Sequence, residues 1–249
     1  MRLLVINPNT SDFVTDTVAK EARRAASTDT EIIAVTGKKG PSIIGGRAEN
    51  ALGAVSSLEL AAEHATGVDA VLLAVSFDSG LKPLRELLSV PVVGMSEAAM
   101  LTACMVGGRF SMVTFGERAV ALYQELADDY GLAQRCAGVR SLPPLSESEL
   151  RDPSLILPGL IDQIGCAVAD QGAESVILSG AVFAGMAAQL SNQVSVPVID
   201  GIAAGVCMAE SLHRLGLRKP ASGSYQLPSR KDLKGTTTAL TKLYARLPP

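Results

Sequence analysis

A chain of 249 residues, 47% hydrophobic and 19% charged with no Trp, can bury a sizeable core built on Val, Leu, Ile and Ala. Its formal net charge of −3 gives no electrostatic case for nucleic acid or an anionic membrane as partner. No apolar run approaches the length of a membrane span, which leaves a cytoplasmic, small-molecule protein as the expectation.

The N-terminus MRLLVINPNT has one basic residue and a short apolar run before it turns polar, so it reads as a first strand and not as a signal peptide. A helix is predicted from about Ser11 to Ala26, then a strand TEIIAVTG, then a helix around Ala48 to Ala65. The run AVLLAV, the helical LKPLRELL and the run VPVVGM follow. The second half begins with a helix through Ala98 to Met105. It continues with the strand FSMVTF, a helix from Glu117 to Asp129, a strand near Gly138 to Ser141 and a helix near Leu155 to Asp170. Strands apolar on both faces, alternating with helices, predict an α/β fold with a parallel sheet covered on both sides. The tail from Lys219 to Pro249 carries Pro, Ser and Gly before a short helix at about Thr236 to Leu247, expected to pack back across the first half.

The chain also repeats itself. DAVLLAVSFDSGL followed by VPVVGMSEAA returns as ESVILSGAVFAGM followed by VPVIDGIAAG. Val71 maps to Val176 and Gly80 to Gly185 at an offset of 105, and Val90 to Val196 at 106. Two pseudo-symmetric lobes are expected, residues 1–96 plus 213–249 forming lobe 1 and 97–212 lobe 2, with strand ends meeting at a shared cleft.

Several segments could carry chemistry. INPNTS puts Asn7, Asn9 and Thr10 between a strand and a helix, where exposed amides suit an anion or a polarised carbonyl; a plain helix cap is the bland alternative. The Gly-rich loop TGKKGPSIIGG, with Ser42 and Ile43, matches neither phosphate nor dinucleotide loops, and reads equally as a loop over a pocket or as an inert connection. Ser76, Phe77 and Asp78 end one strand, Thr114 and Phe115 a second, and Ser179, Gly180 and Ala181 a third. The carboxyl ends of parallel strands are where such sheets bind ligands. His64 and His213 lie in helical patterns and read as exposed or capping. Cys104, Cys136, Cys166 and Cys207 are 30 or more residues apart, which argues against zinc and against a disulfide framework. Nothing in the sequence calls for a metal, a nucleotide or pyridoxal phosphate, so no cofactor is expected.

Taken together, INPNTS, GPSI, DSGL, VPVVGMSEAA, RFSMVTF, VPVIDGIAAGV and the tail KPASGSYQLP resemble, in order, the hydantoin and allantoin racemase branch of the aspartate/glutamate/hydantoin racemase superfamily. The resemblance implies two α/β lobes around a small-molecule site and a homo-oligomer. It also implies a cofactor-independent racemase or isomerase acting on a small hydantoin, amino acid or related carboxylate or cyclic amide. Members of that family use two cysteines, one thiolate removing the α-proton and one thiol delivering a proton to the opposite face. Here the first position falls on Ser76 or Val75 and the second on Gly180 or Ala181, so neither thiol is present.

Other readings follow from that departure. Asp78 could serve as base, with Asn9, Thr10, Ser76, Thr114 and amides near Gly180 holding a carboxylate or ring carbonyl for hydrolysis or elimination. With Ser76 standing in for a replaced cysteine, the site would resemble the one-thiol arylmalonate decarboxylases. The scaffold could also bind its ligand unchanged.

Overall fold

The computed structural model describes residues 1–217 and 219–248; Pro249, the end of the predicted tail, lies outside the described residues. Lobe 1 runs β1 (Arg2–Asn7), α1 (Asp12–Ala25), β2 (Glu31–Thr36), α2 (Arg47–His64), β3 (Ala70–Leu73), α3 (Leu81–Leu87) and β4 (Val92–Gly94). Then come α4 (Met95–Val106), β5 (Phe110–Phe115), α5 (Arg118–Asp129), β6 (Cys136–Leu142), α6 (Glu147–Leu150), α7 (Pro153–Gln171) and β7 (Ser175–Leu178). A 3₁₀ turn (Ala181–Phe183), α8 (Met186–Leu190), β8 (Val198–Asp200), α9 (Gly201–Arg214) and α10 (Thr238–Ala245) complete the order.

Two four-stranded sheets result, in the orders β2-β1-β3-β4 and β6-β5-β7-β8, with every pairing parallel. β1, β3 and β7 are buried along almost their whole length, as unbroken apolar runs covered on both faces should be. The helices reach the sheets through apolar stripes; in α1, Val14, Val18, Ala19 and Ala22 fall on one side at near-helical spacing and are buried. The repeat seen in the sequence is structural, since β3 and β7, and β4 and β8, occupy equivalent places in the two sheets.

Two helices knit the lobes together by exchange. α4 leaves β4 of lobe 1 and packs on β7 and β8, while α9 leaves β8 and packs on β3 and β4. This close approach needs small residues: a Cβ at Gly205 would sit 2.5 Å from Leu72 Cδ1, and one at Gly201 3.0 Å from the Met95 carbonyl oxygen. Met95 and Gly201 are themselves repeat equivalents, so the two helix starts meet where the halves are related. α10 packs against α2, as the tail was expected to do.

Candidate active site

The carboxyl ends of both sheets meet at a cavity of about 50 Å³. That is room for a few waters. Lobe 1 contributes Asn9, Val14, Ile43, Ile44, Gly45, Val75, Ser76 and Phe77; lobe 2 contributes Thr114, Phe115, Ala119, Tyr123, Gly180, Ala181 and Val182. Of the residues singled out from sequence, Asn9, Ile43, Ser76, Phe77, Thr114, Phe115, Gly180 and Ala181 come together here.

At the polar end, Ser76 Oγ and the Tyr123 hydroxyl are 2.6 Å apart, and Tyr123 donates to the Ser179 carbonyl at 3.1 Å. The Phe77 and Tyr123 rings pack at a centroid distance of 4.7 Å, fixing that hydroxyl from the side. Burial pushes Tyr123 up to about 12, against the pull of its hydrogen bonds to Ser76 and Thr114. The remaining walls are predominantly apolar, and no Asp, Glu, His, Lys, Arg or Cys lines the cavity.

Asp78 is the main correction to the sequence reading. It does not line the cavity. Its carboxylate turns to the start of α4, accepting from the Ser96 amide at 3.1 Å, the Glu97 amide at 2.9 Å and the Tyr130 hydroxyl at 2.6 Å. Complete burial outweighs those donors and pushes it up to about 7. The residue adopts φ +49°, an uncommon value outside glycine, held by these three bonds. Ser96 also donates from its hydroxyl to the Ser76 carbonyl at 2.6 Å, so α4 grips the turn at both Ser76 and Asp78. Asp78 therefore holds the turn in shape, with its carboxylate directed to α4 and away from the cavity.

Asn7, Thr10, Ser42 and Ser179 also lie outside the lining of the cavity. Asn7 donates to Asn9 Oδ1 at 2.8 Å and to Thr15 Oγ1 at 3.0 Å, and Asn9 Oδ1 accepts from the Ser11 amide at 2.9 Å. Asn7 thus orients Asn9, which reaches the cavity, while staying out of it. The Thr10 amide binds the Pro41 carbonyl at 3.1 Å, tying the 37–46 loop down so that Ile43, Ile44 and Gly45 cover the cavity; Thr10 and the exposed Ser42 do not line it. Ser179 is buried beside the cavity, its carbonyl holding Tyr123 while its hydroxyl lacks a partner among the described residues.

Sequence reasoning missed Tyr123. Its helix pattern, with Ala119, Leu122, Tyr123 and Ala127 buried, marks an inward residue, but its contact with Ser76 of the other lobe leaves no local signal. None of the four free cysteines lines the cavity. Among the described residues no cluster of three or more His, Cys, Asp or Glu could hold a metal, and no helix is long and apolar enough to cross a membrane.

Comparison with known proteins agrees with this architecture. Hydantoin racemase from Pseudomonas sp. (strain NS671) is 35% identical over 238 residues, covering 94% of this chain and 95% of that protein. Hydantoin racemase from Paenarthrobacter aurescens is 37% identical, covering 93% and 99%. The structure of allantoin racemase from Klebsiella pneumoniae superposes with a TM-score of 0.92 at 37% identity, covering 97% and 99%. An arylmalonate decarboxylase variant, 20% identical with a TM-score of 0.65 over 90% of this chain and 96% of its own, shares the fold. The family description Asp/Glu/Hydantoin racemase matches residues 3–209, which span both sheets and every residue of the cavity, and the chain belongs to that racemase family.

Proposed function

We propose that this protein binds a small hydantoin, amino acid or related carboxylate or cyclic amide in the inter-lobe cavity. There it acts as a cofactor-independent isomerase-type enzyme on the hydrogen of the carbon held against Ser76. The observation that carries this reading is the Ser76–Tyr123 hydroxyl pair, 2.6 Å apart, in a cavity lined by no other group able to relay a proton except Thr114. Family membership and the relatives named hydantoin and allantoin racemase support the substrate class.

In the proposed step the Ser76–Tyr123 pair reacts in its deprotonated form, its proton already lost to solvent: the C–H proton passes to Ser76 Oγ as the Ser76 proton moves onto the ionised Tyr123 oxygen. The electron pair moves onto the adjacent carbonyl, stabilised by Asn9, Thr114 and nearby amides. Return of a solvent-derived proton along the same route regenerates the carbon. On the other lobe Gly180 and Ala181 offer no group for delivery to the opposite face. The chemistry is therefore one-sided: exchange with retention outruns inversion.

It is also slow at neutral pH. Ionising a hydroxyl held at about 12 costs about 7 kcal/mol at pH 7, against about 2 kcal/mol for a thiol of ordinary pKa. The rate should rise about tenfold per pH unit below that value. Incubating single enantiomers of 5-substituted hydantoins and allantoin in D₂O, with NMR and optical rotation read on the same sample, tests the proposal. The absence of any side chain that titrates near pH 7 in the cavity favours a second reading, a binder that leaves its ligand unchanged. That reading predicts ligand-induced thermal stabilisation with no exchange at any pH. The direction of Asp78 toward α4 weighs against the hydrolytic reading, which uses it as base.

A further inference from the structure

A second pocket, of about 330 Å³, opens on the seam between the lobes, with α1 on one side and the 150–153 and 182–189 segments on the other. It is within the size range of small-molecule sites and several times larger than the Ser76 cavity. Its charge runs against that of the whole chain. Its described lining includes Lys20, Arg24 and Arg151 together with Glu21, in a protein whose formal net charge is −3.

The cations are held in place. Glu21, buried, takes Arg24 Nε at 2.7 Å and Nη2 at 2.6 Å, which fixes the guanidinium plane and leaves Nη1 without a partner among the described residues. The Arg151 guanidinium lies over the Phe13 ring, 4.5 Å from its centroid, bridging the two lobes. The nearby Asp200 carboxylate is occupied by the amides of Gly185, Ile202 and Ala203, at 2.6, 2.8 and 3.1 Å. Beneath the charges the lining turns apolar, with Phe13, Leu150, Val182 and Met186.

We infer that this seam pocket is a binding site for a small amphipathic carboxylate, its charge set among Lys20, Arg24 and Arg151 and its apolar body on Phe13, Leu150 and Met186. Exposed cations in solvent make such a site weak and salt-sensitive. Val182 lines both cavities, so an occupant here touches the wall of the Ser76 cavity without entering it.

The test is an NMR titration of the ¹⁵N-labelled chain with benzoate, benzamide and inorganic phosphate. Saturable amide shifts clustered on Phe13–Arg24 and residues 184–189 are expected with benzoate. They should weaken at least tenfold in Lys20→Glu and in Gln189→Glu, two exposed positions whose reversal or gain of charge spares the core. Benzamide and phosphate should bind far more weakly, the first lacking charge and the second the apolar body. Equal binding of benzamide or phosphate, shifts centred on Ser76 and Gly180 instead, undiminished binding in both variants, or no saturable shift would each overturn the assignment.

Discussion

In lobe 1 the chain leaves β3 through Ser76–Gly80, and in lobe 2 it leaves β7 through Ala181–Gly185, 105 residues later. Both turns end on a left-handed glycine that starts a short helix, with φ +92° at Gly80 and +86° at Gly185. Both are tied by a carboxylate to the helix that crosses to the other lobe. That carboxylate arrives from opposite directions. In lobe 1 it comes from the turn, Asp78 reaching to α4; in lobe 2 it comes from the helix N-cap, Asp200 reaching back to Gly185. Gly94, the repeat equivalent of Asp200, lacks a side chain because a Cβ there would sit 2.4 Å from Asp78 Cγ. The clamp is therefore a requirement of the architecture that either partner can meet. The cavity chemistry is not shared in this way, since lobe 1 presents Ser76 where lobe 2 presents Ala181.

The largest effect should come from making the two turns chemically alike. Ser76→Cys with Ala181→Cys places a thiol in each lobe, and the lower pKa of a thiol should raise exchange by roughly 3.5 powers of ten and convert retention into racemisation. Gly180→Cys is the poorer second site, since its Cβ would lie 3.1 Å from the Phe183 ring. Exchange and optical rotation of the double variant measure both effects.

Next is the pH dependence of the lobe 1 clamp. Because burial raises Asp78 from 3.8 to about 7, the native state holds a proton that the unfolded chain releases. The stability linked to that proton is fully present below about pH 4 and lost as pH rises through about 7. The span corresponds to about 4 kcal/mol at most. Urea melts across this window should show the decline, and Asp78→Asn should flatten it.

Removing the clamp costs somewhat less. Asp78→Ala at pH 8 strands two buried amides and the Tyr130 hydroxyl, for an expected loss of about 3 kcal/mol. Adding Gly94→Asp should recover much of it by supplying the carboxylate from the helix side, as lobe 2 does. A double variant no more stable than Asp78→Ala would show that the two clamps are not interchangeable. The smallest change is Tyr123→Phe, which removes one hydroxyl from Ser76 and the Ser179 carbonyl, at about 1 kcal/mol in the same melts.

The architecture was legible in the sequence because parallel strands buried on both faces are written as unbroken apolar runs, and because AVLLAV and SVIL repeat with their turns. The strand-end location of the cavity follows from the same pattern, and Ser76, Thr114 and Gly180 line it. What each polar side chain does was less legible. Asp78 beside Ser76 reads as a base until its direction is known, and that direction depends on α4, a helix that begins 17 residues later. Tyr123 was invisible because its partner belongs to the other lobe. Local spacing encodes which residues reach a turn; which helix then grips them is a matter of tertiary packing.

The most direct test of a one-sided cavity is simultaneous measurement of deuterium uptake and optical rotation for one hydantoin enantiomer in D₂O, from pH 7 to 10. Uptake is expected to rise with pH, to be lost in Ser76→Ala, and to run well ahead of any loss of rotation. Loss of rotation at the same rate as uptake would contradict this, since that requires a proton donor on the Ala181 side.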